Sequence, residues 1–320
     1  MPSIILIFID DKVKCGIINK YFKNMIIRTI DGGGSGFRRA DINTGDLAPY
    51  NFVATDKPLC DIESIINFVG QDILPGTAGI AISLAGLIEN NDLVVKSPNM
   101  KFLDGVNLAK IISDKINLKT LIFNDAESSA VGILSLLKNE NYFLCITWGT
   151  GIGLRICYNN KILSNSEGGH MKLNFMPSAF LCNCGKRGCV EASIGGIYIK
   201  KKLQKKIKEL DSSYKGDPFE FLNKDFSKRK KWAVDFYKEI ARDMGLFLSN
   251  IQNLLCVPLI VWRGKVAIES LKFLEDDIRK TMEKHVFNSE WADKKYLRFQ
   301  ISPDPQLDCM IGSAINFKNI

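Results

Sequence analysis

The chain has 320 residues, of which 46% are hydrophobic and 24% are charged. This composition is typical of a globular protein with about two domains, and it excludes a disordered or fibrous chain. The formal net charge of +8 is compatible with anionic ligands. The basic residues are spread along the chain, and those of residues 200–208 alternate with apolar residues at helical spacing. We therefore expect no nucleic-acid partner.

The cysteine content and the N-terminus indicate the cellular compartment. The nine cysteines are an odd number without disulfide-like spacing, which favours a reducing cytoplasm. Residues 4–9 are apolar, but they are too few for a signal peptide or a membrane span and favour a strand. We expect a cytoplasmic protein with no membrane partner, in which residues 1–24 form an N-terminal extension of unknown role.

Predicted strands and helices alternate from residue 25 onward. The first half predicts strands at residues 25–30, 37–42, 77–83 and 118–123, another strand that ends near residue 54, and helices at residues 61–70 and 106–116. The second half predicts strands at residues 142–147, 154–158 and 259–262, long helices at residues 195–210 and 228–253, and a short C-terminal helix that contains residues 312–314. Because a strand, a glycine turn and a second strand occur in both halves, we predict a duplicated α/β unit with two lobes that face one cleft.

Residues 167–191 concentrate side chains that bind metals. Thiolate and imidazole ligands suit zinc, and four protein ligands leave no position for a metal-bound water, so this segment predicts a structural zinc site. Only Asn183 separates the first two cysteines, which disfavours a disulfide between them or a C-x-x-C redox pair. Polar residues between the cysteines disfavour the alternative that these thiols are ordinary core residues. The four candidate ligands are His170, Cys182, Cys184 and Cys189.

Two glycine-rich turns, at residues 32–36 and 149–153, each join two predicted strands. Glycine leaves the backbone amides open, which is a common way to bind phosphate oxygens. Because a strand rather than a helix follows each turn, neither is a P-loop or a Rossmann fingerprint. Asp31, just before the first turn, offers a carboxylate for magnesium. The other candidate residues for phosphate binding are Gly33, Gly34, Ser35, Gly149, Thr150 and Gly151.

Asp125 follows the strand predicted at residues 118–123 and precedes small residues that can begin a helix. An acid in this position is either a helix N-cap or a catalytic group. Considered alone, the position favours the cap. The two glycine turns and the metal-binding segment on the same chain favour the catalytic carboxylate.

These motifs together resemble the ROK family of sugar kinases, repressors and uncharacterised open reading frames. The resemblance extends from about Met25 to the C-terminus, and it rests on residues 31–35 (DGGGS), 124–126 (NDA), 149–153 (GTGIG), 167–170 (EGGH) and 182–191 (CNCGKRGCVE). It implies a bilobal α/β fold of the actin and hexokinase type, with duplicated ribonuclease H-like domains, ATP and sugar in the interlobe cleft, and a homodimer or homotetramer. The first lobe would comprise residues 25–122 with a C-terminal helix at about 306–320, and the second lobe would comprise residues 123–305 with the zinc loop.

The family pattern also implies a role for each motif. Asp125 would be the general base that takes the proton from a sugar hydroxyl, and magnesium would bind with ATP. The four candidate zinc ligands match those of the family, and His170 would contact the metal through one ring nitrogen and the sugar through the other. Gly264 would lie beside the nucleotide, in the segment where the family usually carries a Gly-Gly pair. The residues that would bind the sugar are Gly86, Asn99, Asn124, Asp125, Glu167, His170 and Glu191.

Our leading hypothesis is an ATP-dependent hexose kinase that converts glucose to glucose 6-phosphate. Arg263 and Lys265 leave a second hypothesis open, because Arg263 would either crowd the adenosine pocket or reach a phosphate. That alternative is a sugar-binding protein that lacks nucleotide binding. A sugar-sensing transcriptional regulator is a third hypothesis, but such proteins carry an N-terminal helix-turn-helix domain, for which the first 24 residues are too few and too strand-like.

Overall fold

The computed structural model describes residues 24–33, 36–55, 57–137, 139–163 and 166–320. The strand predicted at residues 4–9 lies outside the described residues, as do Gly34 and Ser35 of the first glycine turn. No helix in the described part of the chain is long and apolar enough to cross a membrane.

The first half of the chain forms a five-stranded sheet. Its elements are β1 (Ile26–Gly33), β2 (Gly36–Asn43), β3 (Pro49–Ala54), α1 (Ile62–Gly70), β4 (Thr77–Leu84), β5 (Leu87–Glu89), β6 (Leu93–Lys96), β7 (Val106–Asn107), α2 (Leu108–Ile116) and β8 (Thr120–Asn124). The strand order is β3-β2-β1-β4-β8, in which β1, β2 and β3 are antiparallel and β1, β4 and β8 are parallel. A separate antiparallel sheet of β5, β6 and β7 follows β4.

The second half forms a sheet of the same topology. Its elements are α3 (Asp125–Leu136), β9 (Tyr142–Trp148), β10 (Ile152–Tyr158), β11 (Lys161–Leu163), α4 (Val190–Ile194), α5 (Gly196–Leu210), α6 (Pro218–Ser227), α7 (Lys231–Leu255), β12 (Leu259–Arg263), α8 (Lys265–His285), β13 (Arg298–Ile301) and α9 (Asp308–Lys318). The order β11-β10-β9-β12-β13 again combines an antiparallel three-strand unit with two parallel strands. The two matching sheets agree with the predicted duplication.

Helices α3 and α9 pack against each other between the two sheets. The outer face of the first sheet packs on α1 and α2, whereas its inner face packs on α9 through side chains such as Met310 and Phe317. The inner face of the second sheet packs on Ile133 of α3, and its outer face packs on the long helices α5, α7 and α8. Each sheet therefore has two apolar faces, both of which are covered by helices.

The contact between α3 and α9 depends on two glycines. A Cβ atom on Gly312 of α9 would lie 1.7 Å from the carbonyl oxygen of Ser128, and one on Gly132 of α3 would lie 1.8 Å from the carbonyl oxygen of Asp308. Any larger residue at either position would overlap with the backbone of the other helix.

Several elements differ from the sequence-based predictions. The helix predicted at residues 106–116 begins at Leu108, because the Asn107 side chain caps it by accepting a hydrogen bond from the Lys110 amide at 3.0 Å. The predicted helix at residues 228–253 is α7, shifted by two to three residues. Sequence reasoning did not predict β5, β6, β7, β13, α6 or α8.

Substitution Gly312→Ala tests the α3–α9 contact. We expect it to lower the free energy of unfolding by about 3 kcal/mol, because the added methyl group overlaps with the Ser128 carbonyl and forces the helices apart. The matched control is Gly70→Ala at the end of α1, where the added Cβ would lie 3.5 Å from Ile116 in ordinary contact. Urea unfolding of both variants provides the measurement, and equal midpoints for Gly312→Ala and wild type would contradict the prediction.

Candidate active site

Asp125 is the first residue of α3, and it directly follows β8, an edge strand of the first sheet. The N-cap of α3 is Asn124, whose Oδ1 accepts a hydrogen bond from the Glu127 amide at 3.0 Å. The interpretation of Asp125 as the cap is therefore wrong. Its half-buried carboxylate accepts a hydrogen bond from the Ala126 amide at 2.8 Å and remains available for other chemistry.

The surroundings of Asp125 make its carboxylate more basic. Burial raises its pKa above the ordinary value of 3.8, and the nearby charge of Asp31 raises the pKa further. Arg263, the Ala126 amide and Arg155 act in the opposite direction without cancelling the increase. A carboxylate whose pKa is moved towards neutrality is a better general base, and such a shift is common at catalytic positions.

The second glycine turn lies beside the start of α5. The Gly196 amide donates to the Gly149 carbonyl at 2.9 Å, and the Ile197 amide donates to the Thr150 carbonyl at 3.0 Å. A Cβ on Gly149 would meet open space, so this part of the turn is accessible to a ligand.

Gly264 completes the surroundings of this turn. It has a φ of +91°, a conformation that favours glycine, and a Cβ on it would lie 2.6 Å from the Trp148 carbonyl oxygen and 3.0 Å from the Gly149 nitrogen. The structure therefore brings Gly264 together with Gly149, Thr150 and Gly151.

The first glycine turn is described only at its two ends, where Gly33 pairs with Gly36. Asp31 lies on β1 and is 7% exposed, and its carboxylate forms an ion pair with Arg38 at 3.1 Å. Because β1 and β8 are both parallel to β4, their carboxyl ends meet at one edge of the sheet. This arrangement accounts for the influence of Asp31 on Asp125.

Two loops of the first half lie next to Asn124. The Asn124 side chain donates to the Gly86 carbonyl at 2.9 Å, and Gly86 itself has a φ of +142°. A Cβ on Gly86 would lie 2.2 Å from the Lys96 carbonyl oxygen. The Ser97 hydroxyl donates to the Ala85 carbonyl at 3.1 Å, which places the loop that carries the exposed Asn99 beside Gly86.

Glu191 connects the second glycine turn to the cysteine-rich segment. Its Oε2 accepts a hydrogen bond from the Ile152 amide at 3.1 Å, and its Oε1 lies 3.7 Å from the Cys182 sulfur. A Cβ on Gly151 would lie 2.2 Å from the Glu191 carboxylate. Glu167 is exposed, and its carbonyl accepts a hydrogen bond from the His170 amide at 2.9 Å.

The predicted metal ligands form a compact cluster. One donor atom from each of the four residues lies within 4.8 Å of the other three. The Cys182 sulfur is 3.7 Å from His170 Nδ1, and the Cys184 sulfur is 3.7 Å from the Cys189 sulfur. Tetrahedral zinc with bonds of about 2.3 Å to sulfur and about 2.0 Å to nitrogen separates its ligands by about 3.5–3.8 Å. The donor set and its spacing therefore fit zinc.

Two glycines shape the chain around this cluster. Gly185 and Gly188 have φ values of +86° and +75°, and a Cβ on Gly188 would lie 1.7 Å from the Asn174 carbonyl oxygen. The Cys182 amide donates to the Lys186 carbonyl at 2.8 Å, which closes the turn between the first two cysteines and the third.

Arg263 occupies neither of its predicted positions. Its guanidinium is turned into the protein, where Nε and Nη2 contact the two carboxylate oxygens of Asp308 at 3.1 Å and 3.0 Å. Both residues are buried, and the Ser302 hydroxyl also donates to Asp308 at 2.8 Å. Because Arg263 forms this buried ion pair, the expectation that it crowds the adenosine pocket or reaches a phosphate is wrong. Lys265 is exposed and lies 3.8 Å from Glu269.

Arg155 of β10 is a residue that sequence reasoning missed. It is 4% exposed, and its Nη2 donates to Asn124 Oδ1 at 2.9 Å. The signal that could have identified it is an arginine within the otherwise apolar strand at residues 154–158.

A sequence model of the ROK family matches residues 55–319. The chain belongs to the ROK family. Similar proteins include a xylose repressor from Bacillus spizizenii, which is 30% identical over 66% of this chain and 54% of the repressor. A glucokinase from Streptomyces coelicolor is 26% identical over 70% of this chain and 74% of the glucokinase. The chain spans about half to two thirds of the length of the xylose repressors that it matches.

Solved structures of ROK proteins show the same fold. A ROK glucokinase from Streptomyces griseus, solved with glucose and AMPPNP, has a TM-score of 0.74 and 21% identity, with coverage of 91% of this chain and 98% of the glucokinase. A ROK transcriptional regulator homologous to the Escherichia coli MLC protein has a TM-score of 0.75 and 19% identity, with coverage of 92% and 78%. The predicted ROK resemblance and the actin and hexokinase type of fold are confirmed.

The buried pair of Arg263 and Asp308 can be tested by a double-mutant cycle. Arg263→Met alone should lower the free energy of unfolding by about 3–5 kcal/mol, because it leaves the Asp308 carboxylate buried without a counter-ion. Addition of Asp308→Leu should recover most of that loss, since neither charge then has to be buried. Urea unfolding of the wild type, both single variants and the double variant measures the effect. A double variant as unstable as Arg263→Met would contradict this account.

Proposed function

We propose that this ROK protein is an ATP-dependent hexose kinase with glucose as acceptor and glucose 6-phosphate as product. The observation that supports it most is the position of Asp125, a half-buried carboxylate with a raised pKa. On one side, Asn124 connects this carboxylate to the Gly86 loop. On the other side, Ala126 packs against Gly153 at the end of the second glycine turn. A base in that position lies between a group of hydroxyl-binding side chains and a phosphate-binding turn.

In the proposed reaction, Asp125 accepts the proton of the sugar hydroxyl as the hydroxyl oxygen attacks the γ-phosphorus, and ADP leaves. Proton transfer to a positioned carboxylate contributes about 10²- to 10⁴-fold to the rate. Magnesium bound with ATP neutralises phosphate oxygens during the transfer, and Asp31 is the carboxylate proposed to lie beside it. The proposed sugar ligands besides Asp125 are Gly86, Asn99, Asn124, Glu167, His170 and Glu191.

We further propose that the cysteine and histidine cluster binds structural zinc. The spacing of the four donor atoms and the contact between Glu191 and Cys182 support this assignment. Zinc would fix the segment that carries Glu191 and His170 next to the second glycine turn.

The other expectations from the family complete the proposal. A cytoplasmic setting supplies both ATP and reduced thiols, and the chain is proposed to form a homodimer or homotetramer. The proposed lobes are residues 25–122 with 306–320 and residues 123–305. The packing of α9 on the first sheet and of α3 on the second supports this division.

Substitution Asp125→Asn tests the role of the base. We expect kcat to fall by about 10²- to 10⁴-fold, because the amide cannot accept the hydroxyl proton, whereas sugar affinity by calorimetry stays within a few-fold. Because the pKa of Asp125 is raised, wild-type kcat/KM should decline with falling pH at values above the usual range for an aspartate. The measurement is a coupled assay with ATP and a panel of hexoses and pentoses.

The control for this test is Glu127→Gln, which alters a carboxylate two residues along the same helix and should keep wild-type turnover. Turnover by Asp125→Asn at the wild-type rate would contradict the role of Asp125. If wild-type protein loaded with zinc phosphorylates no sugar of the panel, the kinase proposal itself is wrong.

The zinc proposal has its own test. Elemental analysis of the purified protein should find about one zinc ion per chain, and Cys184→Ser should lose the metal and unfold at a lower temperature, since metal binding contributes to folding. Cys256→Ser changes an exposed cysteine outside the cluster and should retain the metal. Equal zinc contents in the two variants would contradict the assignment.

A sugar-responsive regulator that does not phosphorylate its ligand is the second candidate. The observation in its favour is the similarity to xylose repressors, which are longer than this chain. Calorimetry separates the two candidates, because the regulator would bind a sugar such as xylose without binding ATP, whereas the kinase would bind both.

A further inference from the structure

Arg155 is a charged residue in an unusual position. Its guanidinium is almost fully buried, at 4% exposure, on the inner face of the second sheet. Nη1 donates to the carbonyls of Leu154, at 2.8 Å, and Ser166, and Nη2 donates to Asn124 Oδ1. Its Nε is buried without a hydrogen-bond partner. Among the described residues, no carboxylate forms an ion pair with it.

The contacts of Arg155 join the two halves of the proposed sugar site. From Asn124 the hydrogen bonds continue to the Gly86 carbonyl, which belongs to the loop after β4. In the other direction, Ser166 directly precedes Glu167 and the segment that leads to His170. One arginine therefore lies at the centre of a continuous series of hydrogen bonds from a loop of the first sheet to a loop of the second.

The charges around Asp125 make Arg155 distinctive. The charged side chains that affect the pKa of Asp125 come from three strands: Asp31 on β1, Arg155 on β10 and Arg263 on β12. From α9, the Cys309 thiol donates to the Asp125 carbonyl at 3.5 Å. Arg263 is already paired with Asp308, whose negative charge opposes its own. Arg155 has no such partner, and its positive charge also lowers the pKa of Asp125, although less than the charge of Arg263 does.

We propose that Arg155 is a positioning residue for the kinase reaction: it holds Asn124 and the loop of Glu167 in a fixed relation and supplies positive charge beside the base. This inference rests on the proposed function.

A purely structural role does not account for this residue. A buried guanidinium without a carboxylate partner loses its hydration, and replacement of a buried charge by an apolar residue of similar size is often neutral or stabilising. Fold stability alone would therefore permit an apolar side chain at this position of β10. The positioning role instead requires the planar guanidinium of arginine, whose two terminal nitrogens donate to Asn124 and Ser166 at the same time.

The variants Arg155→Met and Arg155→Lys separate charge from hydrogen bonding. Arg155→Met should lower kcat/KM for the sugar by about 10- to 100-fold, the effect of a lost hydrogen bond to a charged group, with KM for ATP within about two-fold of wild type. Without the positive charge the pKa of Asp125 rises further, so the acidic limb of the kcat/KM profile should move to higher pH. Arg155→Lys keeps the positive charge but loses the planar guanidinium that bonds to two partners. It should therefore keep the acidic limb of the wild-type profile, whereas its KM for the sugar should be higher than that of wild type.

The matched control is Arg279→Met, which removes an arginine of α8 that is 5% exposed and paired with Glu275. It should leave both the sugar KM and the acidic limb unchanged. The inference would be overturned if Arg155→Met had the kcat/KM of wild type and an unshifted acidic limb. It would also be overturned if Arg279→Met changed both quantities as much as Arg155→Met does.

Hydrogen exchange provides a readout that is independent of catalysis. In Arg155→Met, the amides of residues 84–87 and 166–170 should exchange faster than in wild type, whereas Arg279→Met should leave both loops unchanged. If the wild type phosphorylates no sugar, faster exchange in both loops supports the positioning role while the kinase proposal fails. Unchanged exchange in both loops overturns the positioning role whatever the activity.

Discussion

The close contact of α3 with α9 is the constraint on which the rest of the structure depends. Gly132 and Gly312 let the two backbones approach until each glycine contacts a carbonyl of the facing helix. Since α9 packs on the first sheet and α3 on the second, this contact also fixes the distance between the sheets. Asp125 begins α3, and the Cys309 thiol in the first turn of α9 donates to its carbonyl at 3.5 Å, so the same contact places the proposed base beside α9. The position of the proposed base thus follows from helix packing as much as from the strand that precedes it.

This arrangement concentrates buried charge at one point. Asp125 and Asp308 share a small region with Asp31, and the two arginines Arg155 and Arg263 extend into it from the second sheet. The arginines have different partners. Arg263 forms an ion pair with Asp308, which connects β12 to α9, whereas Arg155 bonds only to neutral oxygens. The region therefore contains the Arg263–Asp308 ion pair together with Asp125, Asp31 and Arg155, and the charges of Asp31 and Arg155 shift the pKa of Asp125 in opposite directions.

Motifs that need a particular residue type could be predicted from the sequence. The cluster of His170 with three cysteines forms as expected, and among the described residues it is the one group of histidine, cysteine and acidic side chains with metal-binding spacing. The duplicated hairpins were also predictable, because their apolar strands flank glycine turns in both halves. The short strands β5 to β7 were not, because they contain only two to four residues and carry little periodic signal. Helix α8 was missed because Gly264 begins it without a capping side chain.

The misassigned residues show where local patterns fail. Both Asn124 and Asp125 are good capping residues, and only the hydrogen bond from Glu127 decides between them. Arg263 stands next to Gly264 in the sequence, but its partner Asp308 is 45 residues away. No local pattern reveals that pair, so an interpretation based on neighbouring residues assigns Arg263 to the nucleotide pocket. Arg155 is similar, since its contacts lie 31 residues before it and 11 residues after it.

The duplication explains the phosphate side of the proposed site but not its sugar side. The two glycine turns occupy equivalent hairpins, β1–β2 and β9–β10, in sheets of equal strand order. The proposed sugar ligands instead come from segments that are not equivalent. Gly86 and Asn99 belong to the region of the small β5–β7 sheet that follows β4, whereas the residues from Glu167 to Glu191 follow β11. The proposed sugar ligands thus lie on two separate segments, one after β4 and one after β11, which must be held in a fixed relation. The hydrogen bonds from Gly86 through Asn124 and Arg155 to Ser166 connect these two segments.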